Sequence, residues 1–512
     1  MANLLLAAPR SLATPAVALA ALCLCAHLAA NGHYGVFRDE LYFIACGERP
    51  ALGYVDQPPL VPLIAAASHA WFGVALTPLR LAPALAMAAT VALTANFAKR
   101  LGGGSYAQWL GGLATLLSPV LLVDGVLLST DMLQPLTWLA CSWLLVRLIE
   151  TRDERIWLAF GVVVAISLWS KYLIGFFLVG LAFGIVATPL RRSLAKPWIY
   201  AGAAVAVVLV APNVLWQAAH GWPFLELSKA GASGKNLALS PLAFLGQQAL
   251  IAGPTLAPLW VAGLWSLAAR PGQPELRAFP IAYVVMTAIF LLAHGKAYYL
   301  AAFYPTLFAA GAVAFERWFP SRALRWTVAG VFVVGGLLAV PLALPILPPD
   351  RFIAYSRALG LTPSVTATER GAQSQLPQYF ADMFGWREMA EQVSAVYQAL
   401  PETDRRRAVF FGRNYGEAAA LEIYGPSFGG PPAISGHNSY FLWGPDGYDG
   451  SVVIVLGAAG PRLAAKYYDD IRTAGRIENP YAMPSETNVS ISVLRSPRVP
   501  LSEIWPALKH YE

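Results

Sequence analysis

Long apolar runs separated by short polar clusters dominate the chain up to about Leu347. An α-helix needs roughly 20 residues to cross a bilayer. Apolar runs on that scale fall at 12–30, 78–98, 107–123, 132–148, 198–216, 242–268, 279–293, 298–316 and 326–346. The stretch 156–190 is too long for one helix, and Lys171 interrupts its middle. It predicts two helices, 156–170 and 173–190, which brings the expected transmembrane helices to eleven. Leu60–Phe72 is apolar too, but it follows two prolines and is below spanning length. It predicts a short helix lying at the membrane surface. Ser11–Ala30 follows Arg10 and loosely suits a signal peptide, with Ala26–Ala30 as its cleavage site. Its length favours a retained first helix.

Pro341, Pro345, Pro348 and Pro349 end the last run and form a stiff exit, because proline cannot continue a helix. Beyond them charged residues are scattered, as in a water-soluble domain. Ala408–Phe411 and Val452–Leu456 are short β-rich runs bounded by turn residues, and Val489–Leu494 suits a last strand. Trp386–Leu400 and Pro461–Thr473 have the composition of helices. The expected fold is a polytopic α-helical membrane protein with a C-terminal soluble α/β domain, residues 1–347 and 348–512. No internal repeat or low-complexity tract is present.

Composition sharpens this picture. The chain is 57% hydrophobic and 13% charged, against about 25% charged residues in soluble domains. Most of its surface therefore does not face water. The net charge of +7 reports topology before it reports a partner. No basic stripe with aromatics marks a nucleic-acid face. With the N-terminus in the cytoplasm, the inside segments hold fourteen Lys and Arg and the outside segments before Leu347 hold seven. Cations concentrate inside, so the odd helix number places residues 350–512 on the extracytoplasmic side. The expected location is the cell inner membrane. Of the four cysteines, Cys23, Cys25 and Cys141 lie in apolar runs and Cys46 stands alone in a loop. No disulfide framework or metal-ligand spacing appears.

Candidate chemistry gathers on the outer side. The first outer segment, 31–77, carries Phe37-Arg38-Asp39-Glu40-Leu41-Tyr42-Phe43 and then Gly53-Tyr54-Val55-Asp56-Gln57-Pro58-Pro59-Leu60. Adjacent carboxylates at 39 and 40 point apart in any regular structure. One can face a reaction centre while the other fixes a neighbouring segment, and a carboxylate beside lipid suits a general base. The blander reading is a solvated acidic loop. Asp131 begins the fourth helix, where it or Thr130 also suits an N-cap. Lys171 and Tyr172 break an apolar stretch; a lysine there snorkels or is used. His294, Lys296, Tyr298 and Tyr299 join the ninth and tenth helices, where an interfacial belt is the simple alternative. Cations hold an anionic phosphate, so acids and cations on one rim are what a lipid-phosphate donor site needs.

These motifs resemble the GT-C glycosyltransferases. The closest group is glycosyltransferase family 39, the protein O-mannosyltransferases and lipid A aminoarabinose transferases. Arg38-Asp39-Glu40-Leu41-Tyr42-Phe43 is similar to the family's Asp-Glu motif, and Asp56-Gln57-Pro58-Pro59-Leu60 to its Pro-Pro element. Thr130-Asp131, Ser170-Lys171-Tyr172 and Lys296–Leu300 with Tyr304-Pro305 follow in the family's order, so the resemblance covers roughly 31–316. It implies a polyprenyl-phosphate sugar donor, an extracytoplasmic site and transfer with inversion to a lipid, glycan or protein acceptor. Asp39 matches the catalytic residue, with Glu40 beside it. Asp56, Gln57, Asp131, Lys171, Tyr172, His294, Lys296, Tyr298 and Tyr299 are expected around the donor. Gln57 stands where many bacterial relatives carry His or Lys. The C-terminal domain does not resemble a β-trefoil, so a protein Ser/Thr acceptor is not supported.

Two other classes compete. A secondary transporter would show inverted repeats and midplane charges in broken helices. An envelope assembly protein would not need acids and lysines on one rim. His294 and several acids could hold a divalent ion, although no ligand spacing demands one. Membrane lipids are the remaining expected partners. Gly436-His437-Asn438-Ser439-Tyr440-Phe441-Leu442-Trp443 could touch the membrane rim or form a core strand.

Overall fold

The computed structural model describes residues 14–231, 239–362, 373–457 and 466–512. The chain divides into two compact units that interleave along the sequence. One comprises Met1–Gly32, Arg80–Leu215 and Asn236–Ile346; the other comprises His33–Leu79, Trp216–Lys235 and Leu347–Glu512. Arg10, Lys235 and residues 461–465, used in the sequence reading, lie outside the described residues.

The first unit is helical. Among the described residues, five helices are long and apolar enough to cross a membrane: Leu81–Arg100, Pro197–Ala219, Pro274–Leu292, Ala297–Trp318 and Arg322–Ala343. Three further apolar pairs are bent, Ser105–Leu117 with Pro119–Val126 by 63°, and Ile174–Ala187 with Pro189–Ala195 and Pro241–Ala252 with Pro254–Ala268 by 101° each. In every pair the second helix opens on a proline. Proline lacks the N–H that would continue the first helix, but its fixed φ suits the first position of the next. The runs 107–123 and 242–268, expected as single helices, are therefore broken. The break expected at Lys171 is present: Ile156–Ser170 ends there on an extended backbone and Ile174–Ala187 follows. Close helix crossings depend on glycine. A Cβ on Gly161 would sit 2.0 Å from the Gly202 carbonyl oxygen, and one on Gly311 1.9 Å from that of Leu259. Small residues let helix backbones approach where lipid gives no hydrophobic drive. Pro197–Ala219 and Arg322–Ala343 bury little of their surface and present Val207, Val208, Val334 and Leu337 outward, as lipid-facing helices do.

The second unit holds a five-stranded mixed sheet of order β2-β1-β3-β5-β4. The strands are β1 (Ala408–Gly412), β2 (Ala433–Ser435), β3 (Val452–Leu456), β4 (Tyr468–Ile477) and β5 (Val489–Pro497). β1 pairs in parallel with β2 and β3, and β5 runs antiparallel between β3 and β4. Val409, Ile434, Val453 and Leu494 pack with Leu501, Ile504 and Trp505 of the last helix. The expected strands at 408–411, 452–456 and 489–494 and the helix Trp386–Gln398 are present.

Three local expectations are corrected. Tyr468–Thr473, read as helix, belongs to edge strand β4. Its polar residues fit a strand with one solvated side. Cys46 is in no loop; it is buried in the last turns of helix Arg38–Glu48. The 436–443 stretch is neither a strand nor wholly a rim: Ser439–Trp443 forms a short helix with Ser439 and Tyr440 buried. Leu60–Phe72 is a 13-residue helix, as expected, with Trp71 81% exposed at its end.

Candidate active site: two clusters of charged residues

In the second unit, helix Arg38–Glu48 carries Asp39, Tyr42 and Cys46 at spacings of three and four, which puts them on one face. The loops that meet this face leave the carboxyl ends of β1 and β2, adjacent parallel strands. Ligand sites of open α/β sheets form at that end. After β1, Asn414 caps helix Tyr415–Tyr424 by accepting the Glu417 N–H at 3.0 Å. This sets Tyr415 at the helix start, with its hydroxyl donating to Asp39 Oδ1 at 2.7 Å. Tyr415 also stacks on Tyr42, with ring centroids 4.5 Å apart. After β2, Asn438 takes φ +47°, a conformation that non-glycine residues adopt at a cost. Its amide then donates to Asp56 Oδ2 at 3.3 Å, while the next N–H, of Ser439, donates to the Tyr42 hydroxyl. Tyr42 in turn donates to Asp56 Oδ1 at 3.0 Å. Asp39 and Asp56 are thus tied into one network through Tyr42 and Tyr415.

The two adjacent carboxylates do diverge. Asp39 remains 34% exposed, with Arg38 Nε 3.4 Å from Oδ1. Glu40 is fully buried, and its Oε2 accepts the Phe37 N–H at 2.8 Å, closing the first turn of the helix. Arg38 also lies 3.7 Å from Asp382, a buried acid. Burial pushes Asp382 up to about 6, against the pull of Arg38 and with a further push from Asp39. Asp56 is raised to about 7, chiefly by desolvation; the Tyr42 hydrogen bond opposes this and the Asp39 charge adds to it. Gln57, expected near the donor, is 1% exposed and turns its amide toward Cys46 Sγ at 3.8 Å.

The first unit brings together a second set. Lys171 Nζ is 2.6 Å from Asp131 Oδ2 and 5.3 Å from the centre of the Tyr299 ring. The Ser170 hydroxyl donates to the Thr130 carbonyl at 2.7 Å, so the dipeptides 130–131 and 170–171 dock side by side. Asp131 is not an N-cap: helix Gln134–Thr151 starts after it, with Leu133 at the cap and no side-chain cap bond. The Tyr172 hydroxyl donates to Asn213 at 2.6 Å. Lys296 Nζ lies 5.8 Å from the centre of the Tyr298 ring, which packs edge-on against Tyr299 at 5.0 Å. His294 sits in the preceding turn at φ +50°.

Several members escaped the sequence. Asp124 lies within electrostatic reach of Asp131 and Lys171; an acid directly at the end of an apolar run was its available signal. Asn438 belonged to a stretch left without a role. Tyr415 and Asp382 carried no local signal, since both act on residues far away in sequence. Among the described residues, His437, His510 and Glu512 have metal-ligand atoms within 4.8 Å of one another. The histidine nitrogens already face hydrogen-bonding groups: Tyr415 N–H donates to His437 Nδ1, and His510 Nε2 lies 3.1 Å from the Arg413 carbonyl.

Residues 56–216 match the dolichyl-phosphate-mannose-protein mannosyltransferase family. The lipid A galacturonosyltransferase RgtD of Rhizobium johnstonii is 25% identical over 309 residues. That match takes in 58% of this chain and 60% of RgtD, so the chain spans less than two thirds of this relative. ArnT from Cupriavidus metallidurans, solved bound to undecaprenyl phosphate, superposes with a TM-score of 0.63 at 13% identity, over 93% of this chain and 97% of that one. Arabinofuranosyltransferase AftD from Mycobacteria gives 0.51 at 16% identity, over 94% of this chain and 40% of AftD. The resemblance to GT-C glycosyltransferases carried by the motifs is borne out, and the likeness to ArnT shows a shared fold in a multi-pass membrane protein.

Proposed function

We propose that this chain is an inverting membrane glycosyltransferase that takes a sugar from a polyprenyl-phosphate carrier and passes it to an acceptor on the extracytoplasmic side of the inner membrane. The observation that carries this reading is Asp39. One of its oxygens is held by Tyr415 and Arg38 while the side chain stays partly open, as a base that must meet a substrate requires. In the reaction an acceptor hydroxyl oxygen attacks the anomeric carbon. The bond from that carbon to the phosphate oxygen breaks, Asp39 takes the hydroxyl proton, and polyprenyl phosphate leaves. The leaving group is already an anion, so cations that hold its growing charge serve better than an acid. Lys171 and Lys296 are those cations, with Asp131, Tyr298 and Tyr299 arranging them. Tyr172 and His294 complete the donor side, and Asp56 and Gln57 support Asp39. Glu40 fixes the helix start.

The acceptor is a membrane glycolipid in this reading, supported by the relative that acts on lipid A. Eleven spans are proposed. The five straight helices and three bent pairs, with Thr14–Ala30, Gln134–Thr151 and Ile156–Ser170, correspond one to one with the eleven runs. Leu60–Phe72 then lies along the surface, supported by its exposed Trp71 and Phe72. The test is a transfer assay with the purified chain in nanodiscs, a radiolabelled polyprenyl-phosphate sugar and a glycolipid extract. Label should move to the glycolipid, and a deletion strain should accumulate the lipid-linked sugar. Absence of transfer with every polyprenyl donor tried, and no such accumulation, would overturn the reading.

A further inference from the structure

Asp39 stands at one end of the face on helix Arg38–Glu48; Arg49 stands just past the other. Ten residue steps along the helix, about 15 Å, separate them. Around Arg49 the second unit opens into a cleft of about 720 Å³, within the size range of small-molecule sites. Two aromatic residues, Tyr440 and Trp443, line one side of it. Arg49 lies 4.4 Å over the Trp443 ring, and Trp443 packs edge-on against Tyr440 at 4.5 Å. The Arg49 charge is already matched. Its two terminal nitrogens donate to the two oxygens of Glu422 at 2.7 and 3.1 Å, and the Tyr440 hydroxyl donates to Glu422 at 2.7 Å. Two more acids line the cleft, Glu48 and Asp446. Glu48 has His69 at 3.1 Å, and Asp446 is exposed on a left-handed turn. With Arg49 and Glu422 cancelling, the remaining charge is negative.

We infer that this cleft is a subsite for a neutral or amine-bearing sugar ring of the acceptor, held some distance from the ring that receives the new sugar. The inference rests on the proposed glycosyltransferase reading. A pyranose offers C–H bonds to an aromatic face, whose negative quadrupole attracts them, and hydroxyls to the carboxylates and guanidinium around it. The surplus of carboxylate disfavours phosphorylated or uronic-acid rings and favours an ammonium group. A span of about 15 Å is one that a few linked sugar rings bridge.

Saturation-transfer NMR on the full chain in nanodiscs, free of sugar detergents, tests this with glucose, glucosamine and glucuronate as probes. Glucosamine should bind with a Kd on the order of 1 mM, glucose more weakly, and glucuronate at least tenfold more weakly than glucosamine. Trp443→Ala should abolish binding of all three. Because that variant also removes the packing of Trp443 on Tyr440, Glu48→Gln/Asp446→Asn is the second probe: it should leave glucose binding unchanged and bring glucosamine down to the level of glucose. No saturation transfer in the wild type, unchanged binding in a folded Trp443→Ala, or a double variant that still prefers glucosamine would overturn the inference. The transfer assay is read separately. Transfer without sugar binding sinks the subsite alone; sugar binding without transfer sinks the glycosyltransferase reading.

Discussion

The Tyr415 hydroxyl donates to Asp39 Oδ1 at 2.7 Å across 376 residues of chain. The same oxygen has Arg38 Nε at 3.4 Å, so two donors fix the carboxylate by one side. If Asp39 is the proposed base, a carboxylate held in this way loses little freedom when the substrate arrives, which is the gain from positioning catalytic groups in advance.

Asp39→Asn keeps the shape and removes the proposed base. Turnover should fall by about 10²–10⁴-fold, the usual contribution of general-base catalysis, while donor binding survives. Glu40→Gln should cost less and act through the stability of helix Arg38–Glu48. Initial rates of sugar transfer from purified lipid donor decide it. A near-normal Asp39→Asn with a dead Asp131→Asn would make Asp131 the base.

Tyr415→Phe keeps the stack on Tyr42 and removes only the bond to Asp39. A hydrogen bond to a charged group contributes about 1.5–3 kcal/mol, so kcat should drop by about ten- to a hundredfold. KM for the donor should hold steady, because Tyr415 acts through Asp39. A variant that changes KM alone, or neither constant, refutes the positioning role.

The sequence carried the helical part well because a bilayer demands unbroken apolar length, and the interruption at Lys171 was visible as a charge where none is tolerated idly. The placement of Asp39 beside Tyr42 was legible because their motif sits on a single helix, three residues apart. Tyr415 and Asn438 were not, because their places depend on the parallel pairing of β1 with β2, and β2 is only three residues long. Edge strand β4 was misread because Asp469, Asp470, Arg472 and Arg476 hide the alternation that marks a strand. The bends at Pro119, Pro189 and Pro254 had a plain signal in the prolines themselves, but hydropathy over a long window runs straight across it.

Lys171→Ala and Lys296→Ala should each weaken donor binding by about ten- to a hundredfold, if each lysine makes a charge-assisted bond to the phosphate of about 1.5–3 kcal/mol. Equilibrium binding of a fluorescent polyprenyl phosphate measures this directly. Unchanged affinity in both variants removes the lysines from the donor site.

If the chain has the eleven proposed spans and a cytoplasmic N-terminus, residues 350–512 lie outside. An alkaline phosphatase fusion at Pro349 should be active, and a fluorescent reporter that folds only in the cytoplasm should be dark there. The reverse pattern overturns either the orientation or the odd count, and with it the placement of residues 350–512 outside.

The last prediction concerns pH. Asp56 titrates near 7 in the folded chain, against 3.8 ordinarily, mainly because burial disfavours its charge. The folded state therefore binds this proton more tightly than the unfolded state between those two values, and stability falls with pH wherever that holds. The contribution is fully present below about 3.8 and is lost as the pH rises through about 7. Asp382, raised to about 6, adds to the slope in the lower part of the same window. Asp56→Asn cannot titrate but can still accept from Tyr42, so its melting temperature should depend less on pH between 4 and 7 than that of the wild type. The comparison is a series of thermal melts in nanodiscs across that range. Parallel curves for wild type and Asp56→Asn would mean that Asp56 is ionised throughout, and that Tyr42 and Asn438 hold a charged carboxylate beside Asp39.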